Sequence, residues 1–133
     1  MRKANRPSDP IRVLLVSSVP GNRASLERIF GLWNWHLDHV ATCREAIMFI
    51  RQNMTAAVIC ERHLPDGDWR ALLNGIEELP VRSSLIVTSR LGDEALWAEV
   101  LNLGGYDVLA QPFDQDEVYR VVFQAWRHGT HAA

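Results

Sequence analysis

The stretch Ala56-Ala-Val-Ile-Cys60 is a short, continuous apolar run, and an acidic residue, Glu61, follows it at once. Apolar runs of this length are typical of strands that lie inside a parallel sheet and are covered on both faces. The polar residues that follow, up to Asp68, include Pro65 and Gly67, and this composition favours a loop. The pattern therefore predicts a buried strand with an acid at its carboxyl end.

Strands and helices are predicted to alternate along the rest of the chain. Four further apolar segments predict strands at residues 11–16, 37–41, 84–88 and 107–110. Apolar residues at helical spacing predict helices over residues 23–32, from Thr42 onward, and over residues 69–79, 93–103 and 115–126. Strands and helices in this alternation predict an α/β fold, with a doubly wound, five-stranded parallel sheet between two layers of helices.

Residues suited to capping precede three of the predicted helices. Asn22, Thr42 and Asp114 stand before the first, second and fifth helices, where a side-chain oxygen can accept a hydrogen bond from a backbone N–H of the first turn. Glu45 stands three residues after Thr42 and completes a candidate capping box. These residues predict where the helices begin.

Polar side chains stand at the carboxyl ends of four predicted strands. Ser17 and Ser18 follow the first strand, and Glu61 follows the third. Thr88 ends the fourth strand, and Gln111 follows the fifth. Because ligands bind outside the carboxyl ends of the strands in open α/β sheets, these residues form the candidate site.

Length and composition predict one globular domain in 133 residues, of which 47% are hydrophobic. We expect a flexible leader over residues 1–10, the domain over residues 11–127 and a frayed tail over residues 128–133. The net charge of −2 gives no reason to expect direct nucleic-acid binding.

The chain has neither a long apolar run nor a signal-peptide pattern, so a cytoplasmic protein without membrane contact is expected. Cys43 and Cys60 lack CxxC spacing and are predicted to be buried free thiols.

Three segments resemble the receiver domain of bacterial two-component response regulators. Glu61-Arg-His-Leu-Pro65-Asp-Gly67 resembles the loop in which that family carries its phosphoacceptor Asp four residues before a Pro. Leu85-Ile-Val-Thr88-Ser89 resembles the fourth strand with its hydroxyl residue. Leu103-Gly-Gly-Tyr-Asp-Val-Leu-Ala-Gln-Pro-Phe113 resembles the segment that holds the family's Lys-Pro-Phe. In this order, these segments imply the flavodoxin-like receiver fold, a three-layer sandwich.

The chain departs from the family at most positions that the resemblance implies for phosphorylation. In receivers, two acids after the first strand help to hold Mg²⁺, an Asp attacks the phosphoryl group, a hydroxyl binds its oxygen and a Lys balances the charge. Ser17 and Ser18 stand at the acidic positions, and Glu61 stands at the nucleophile position. Gln111 replaces the Lys, and only Thr88 is kept. Because Mg²⁺ prefers carboxylate ligands and only one acid is left among these positions, we expect no metal, no cofactor and no covalent phosphoryl adduct.

The favoured interpretation is a degenerate receiver, a pseudo-receiver, that is not an enzyme and binds a protein partner or an output domain without phosphotransfer. Two alternatives stay open: a working phosphoaccepting receiver that uses Glu61, and a small-ligand sensor that uses the pocket at the strand ends. Glu61 is also a candidate stand-in for a phosphorylated Asp, with its carboxylate reaching Thr88 or Gln111. The resemblance further implies a cis peptide bond between Gln111 and Pro112.

The fourth and fifth helices carry more apolar residues than a core needs. Those expected to face the sheet are Leu96, Val100, Leu103, Val118, Val121, Val122 and Ala125. Those expected beside them, on the flanks, are Trp97, Leu101, Tyr119 and Phe123. The resemblance implies pairing or target binding through these two helices, so the flanking residues predict an interface for a homodimer or a partner protein.

Overall fold

The computed structural model of the chain describes residues 11–80, 83–90 and 93–131. The predicted leader lies outside the described residues, as do the last two residues of the predicted tail. No helix within the described ranges is long and apolar enough to cross a membrane.

Five parallel strands form the central sheet in the order β2-β1-β3-β4-β5. They are β1 (Arg12–Val16), β2 (His36–Val40), β3 (Ala57–Cys60), β4 (Ser84–Arg90) and β5 (Asp107–Gln111). The three inner strands are the most apolar, and the core residues of β1 and β3 are fully buried. The predicted sheet is therefore confirmed, with β2 and β5 at its edges.

Five helices cover the two faces of the sheet. They are α1 (Pro20–Gly31), α2 (Cys43–Gln52), α3 (Trp69–Glu77), α4 (Glu94–Leu103) and α5 (Gln115–His131). On β1, Val13 and Leu15 pack with α1 and α5, whereas Leu14 and Val16 pack with the other three helices. This alternation gives β1 two buried faces and confirms the predicted three-layer sandwich.

Two of the three predicted helix caps are confirmed, and one is wrong. The Glu45 N–H donates to Thr42 Oγ1 at 3.1 Å, and the Glu117 N–H donates to Asp114 Oδ2 at 2.9 Å. Asn22 is not a cap, because α1 begins two residues earlier, at Pro20. Proline suits the first helical position, since its φ is already fixed near the helical value and it needs no N–H partner there. Asn22 thus lies inside the first turn, and its side chain is available for other contacts.

The end of α4 differs from the prediction for its inward face. Leu96 and Val100 are buried, but Leu103 is 48% exposed. Gly104 takes φ 107°, and the chain then turns back so that the Gly105 N–H donates to the Val100 carbonyl at 2.8 Å. This turn covers Val100 and leaves the last residue of the helix outside the core.

The predicted loop after β3 contains a short antiparallel ribbon, His63–Leu64 with Gly67–Asp68. Asp66, at its turn, accepts hydrogen bonds from the Cys43 N–H at 2.8 Å and the Arg44 N–H at 3.1 Å. These two donors belong to the first turn of α2, so the ribbon is fastened to the amino end of that helix.

At the other end of the chain, α5 continues to His131, beyond the predicted end near Trp126. The first residues of the predicted frayed tail are therefore helical.

Candidate functional site

The candidate site residues meet at the carboxyl edge of the sheet, as predicted. Ser17, Glu61 and Thr88 are 1%, 8% and 3% exposed, respectively. Gln111 is half-buried at the end of β5, and the Gln111–Pro112 peptide is cis, as the resemblance implied. Glu61 is thus a buried acid inside the site.

Three protein groups donate hydrogen bonds to the Glu61 carboxylate. Oε2 accepts from Ser17 Oγ at 2.5 Å and from Asn22 Nδ2 at 2.7 Å. Oε1 accepts from the Ser18 backbone N–H at 3.3 Å. Hydrogen bonds to an ionised acceptor are stronger than neutral ones, so these donors compensate the cost of burying the carboxylate.

Ser17 is itself held in place from several sides. Its Oγ accepts from the Val19 N–H at 3.0 Å, which leaves its own proton for Glu61. Its carbonyl accepts from His39 Nε2 at 2.8 Å, and its N–H donates to the Val40 carbonyl at 3.0 Å. The serine at the first acidic position is therefore a fixed donor aimed at Glu61.

Asn22 connects Glu61 to the residue at the lysine position. Gln111 Nε2 donates to Asn22 Oδ1 at 2.7 Å, while the Asn22 amide donates to Glu61. The amide uses both ends, its oxygen as acceptor and its nitrogen as donor. A chain of hydrogen bonds, here called the Gln–Asn–Glu chain, thus runs from β5 through α1 to the end of β3.

The role of Asn22 was missed by the sequence prediction, which assigned it to a cap. The available signal was its place five residues after Ser17, near the same strand end. The predicted direct reach of Glu61 to Thr88 or Gln111 is also wrong. Its donors all lie on the β1 and α1 side, so the carboxylate turns that way and meets Gln111 only through Asn22.

The residues at the strand ends do not fit the Mg²⁺ ion that the receiver resemblance implies. Ser17, Ser18 and Asn22 each point a proton at an oxygen of Glu61, where a cation would need a free lone pair. Across the described parts of the chain, no group of three or more His, Cys, Asp or Glu side chains could hold a metal ion.

An open cleft of about 850 Å³ lies above these residues. Its lining combines hydroxyl, amide, carboxylate and guanidinium groups with two apolar residues, and consists of Val19, Asn22, Glu61, Arg62, His63, Thr88, Ser89, Arg90, Asp93, Gln111 and Pro112. At its rim, Arg62 forms an ion pair with Asp93 at 2.9 Å.

Both cysteines are buried, as predicted, and neither is suited to nucleophilic chemistry. Burial raises the pKa of the Cys60 thiol well above its usual value, and the nearby Cys43 and Glu61 raise it further. Burial and the negative charge of Asp66 raise the pKa of Cys43 to about 11. Because the thiolate is the reactive form, burial and these raised pKa values disfavour reaction of either thiol in the folded chain.

The four residues of the predicted interface differ in their neighbours. Trp97 and Leu101 are exposed on α4. Tyr119 instead packs against Trp33 and Trp35, which follow α1, with ring centroids 5.1 and 5.3 Å apart.

Phe123 stacks on Tyr119 at 5.6 Å and so lies on the same side of α5. Residue spacing correctly predicted that these two rings are rotated away from the core. It could not predict which element lies beside them, namely the end of α1. Tyr119 and Phe123 therefore lie on the side of α5 that faces the end of α1, and an interface through the four predicted residues stays a prediction.

Comparison with known proteins identifies the fold through structure. No protein-family model matches the sequence, and no curated protein matches it significantly. Among solved structures, the receiver domain of an HD domain-containing protein from Pseudomonas fluorescens superposes with a TM-score of 0.82 at 23% identity. That match covers 96% of this chain and 94% of the other.

Two further solved structures are receiver domains, one with a bound metal ion and one in an activated form. The receiver domain of the sensor histidine kinase PA1611 from Pseudomonas aeruginosa, solved with magnesium in its active-site cleft, has a TM-score of 0.79 at 21% identity over 90% of this chain and 99% of that one. The beryllofluoride-activated receiver domain dimer of NtrC4 has a TM-score of 0.78 at 26% identity over 88% and 97%. The chain has the fold of response regulator receiver domains, as its sequence predicted.

Proposed function

We propose that this chain is a receiver-like signalling domain that acts by binding a protein partner or an output domain and does not transfer phosphate. The observation that carries the proposal is the hydrogen bonding of the Glu61 carboxylate. Both of its oxygens accept hydrogen bonds from groups of the protein itself, namely Ser17, the Ser18 backbone and Asn22.

An attacking carboxylate needs a free lone pair and a phosphoryl group whose charge is already neutralised by a metal ion. In this chain, hydrogen-bond donors engage both oxygens of the Glu61 carboxylate, and each one lowers the nucleophilicity of the oxygen that it binds. Glu61 is also one methylene longer than the Asp of the family. A displacement of about 1 Å at a reacting atom can cost a hundredfold in rate.

The neutral Gln111 agrees with this proposal. A lysine at that position would be a partly buried cation beside a carboxylate whose oxygens are already engaged by Ser17 and Asn22, and burying a poorly paired cation is costly. Gln111 instead donates to Asn22 and stabilises the Gln–Asn–Glu chain. The replacements therefore support one another as parts of a neutral donor network around one acid.

Treatment with acetyl phosphate and Mg²⁺, followed by intact-mass measurement, tests the proposal. We expect no phosphoryl adduct on the wild-type chain. We also expect none on Glu61→Asp, because that variant keeps the same hydrogen-bond donors and still has serines at the two acidic positions. A variant that combines Ser17→Asp, Ser18→Asp, Glu61→Asp and Gln111→Lys serves as the matched positive control. An adduct on the wild type that disappears in Glu61→Gln would refute the proposal and establish the alternative, a working phosphoaccepting receiver.

A small-ligand sensor is the second candidate, and the polar cleft of about 850 Å³ at the strand ends favours it. A thermal-shift screen against nucleotides and metabolites tests it. A ligand that raises Tm in the wild type but not in an Arg90→Ala variant would support it.

A cytoplasmic location stays a prediction, and cell fractionation checks it.

A further inference from the structure

A cavity also lies at the amino edge of the sheet, opposite the candidate site. Its volume is about 630 Å³, which is within the range of small-molecule sites. It is lined by Ser84, the first residue of β4, and by Tyr106, which directly precedes β5. Because the strands are parallel, both residues mark the amino edge. This cavity, here called the amino-edge cavity, is therefore separate from the Gln–Asn–Glu chain at the carboxyl edge.

One side of the amino-edge cavity is electronegative. Glu77, the last residue of α3, lines it, and its Oε2 lies close to Gly104, where an added Cβ would stand 3.1 Å away. Gly104 itself follows the end of α4, so two helices end at the cavity, and the carboxyl end of a helix carries the negative end of its dipole. None of the described residues that line the cavity is Lys or Arg. These walls therefore favour a positively charged ligand.

Two rings form another side of the cavity. Tyr106 and His128 both line it, with ring centroids 5.6 Å apart and an interplanar angle of 43°. Burial raises the pKa of the Tyr106 hydroxyl, and the negative charge of Asp107 raises it further. An ammonium group is attracted to the face of an aromatic ring, while Ile76 and Leu79, which also line the cavity, offer apolar contacts to a hydrocarbon group. The cavity thus combines groups that suit a cation with groups that suit an apolar body.

We propose that the amino-edge cavity binds a small organic ammonium ion, with its charged group at the Glu77 carboxylate and its apolar part beside Tyr106. A bare metal ion fits less well, because Glu77 is the sole carboxylate among the described lining residues, whereas Ca²⁺ takes about six to eight oxygen ligands. The proposal goes beyond the proposed function and does not depend on it, since the two sites lie at opposite edges of the sheet.

Titration with benzylamine, followed by two-dimensional ¹H–¹⁵N NMR, tests this site. Benzylamine joins an ammonium group to an aromatic body, and benzyl alcohol has the same body without the charge. At about pH 7, where histidine side chains are ordinarily mostly neutral, we expect benzylamine to shift the backbone amide signals of Gly104, Gly105 and Tyr106 along a saturable curve. Benzyl alcohol should bind about tenfold more weakly or worse, because it cannot form a charge-assisted hydrogen bond with Glu77.

Two variants of neighbouring acids locate the bound amine. Glu77→Gln keeps the shape of the side chain and removes its charge, so the Kd for benzylamine should rise about tenfold or more. Glu78→Gln, at an exposed position that does not line the cavity, is the matched control and should bind like the wild type. Circular dichroism checks that both variants stay folded.

Three outcomes would overturn the proposal. The first is that benzylamine produces no saturable shift of these amide signals. The second is that benzyl alcohol binds as tightly as benzylamine, and the third is that Glu77→Gln and Glu78→Gln bind benzylamine equally well. Because phosphorylation is measured separately by mass, failure of this site is distinguishable from failure of the proposed function.

Discussion

Replacing Asn22 by alanine removes the middle of the Gln–Asn–Glu chain. The substitution deletes the hydrogen bond to the buried carboxylate of Glu61 and the one from Gln111, both at 2.7 Å. Hydrogen bonds to charged groups contribute about 1.5–3 kcal/mol and neutral ones about 0.5–1.5 kcal/mol. Water in the cleft can rehydrate the freed groups in part, so we expect a net loss of about 2 kcal/mol in the free energy of unfolding. In a domain of this size, that loss lowers Tm by about 6–10 °C.

Urea denaturation measures this loss, and a double-mutant cycle locates it. Gln111→Ala should destabilise the wild type but have little further effect once Asn22 is alanine, which gives a coupling energy of about 1 kcal/mol. Asn102→Ala, at an exposed position on α4, is the matched control and should leave stability nearly unchanged. If Asn22→Ala unfolds at the wild-type midpoint, or if the two losses simply add, the chain of hydrogen bonds does not exist in solution.

Two other predictions concern the ribbon and the thiols. The backbone N–H groups of Cys43 and Arg44 lower the pKa of Asp66, so its contribution to stability is complete above the unfolded-state pKa and is lost as the pH falls through the lower folded-state pKa. Asp66→Ala should therefore lower the urea midpoint at neutral pH but have little effect in strong acid; an equal loss at both pH values would contradict this. Because the pKa values of Cys43 and Cys60 are raised, both thiols should resist iodoacetamide in the folded chain and react in urea, and rapid labelling of Cys60 without denaturant would show that it is not buried.

The sheet was predictable because apolar strands that are buried on both faces leave a direct trace in the sequence. The apolar run at residues 56–60 and the four other apolar segments predicted the five strands. The polar residues that follow these segments predicted a site at the carboxyl edge of the sheet. The site residues that stand at the strand ends followed from position alone. Ser17, Glu61 and Gln111 needed no side-chain geometry to be found.

Side-chain direction was less predictable, because it depends on contacts between distant segments. Asn22 was assigned to a cap since the earlier start of α1, at Pro20, was not recognised. Leu103 fits the apolar spacing of α4, but the backward turn at Gly104 leaves it outside the core. For Tyr119, helical spacing predicted the direction of the side chain around the axis of α5. The neighbour that it meets, Trp33, depends on how α1 packs beside α5.

The position of β2 at the sheet edge limits how this chain can assemble. An open edge strand is a template onto which another chain can add by backbone hydrogen bonds, which is a common start of aggregation. In β2, Asp38 forms an ion pair with Arg12 at 3.1 Å and a hydrogen bond with His36 at 3.0 Å. A strand added there would desolvate these charged groups, so sheet extension is disfavoured at this edge.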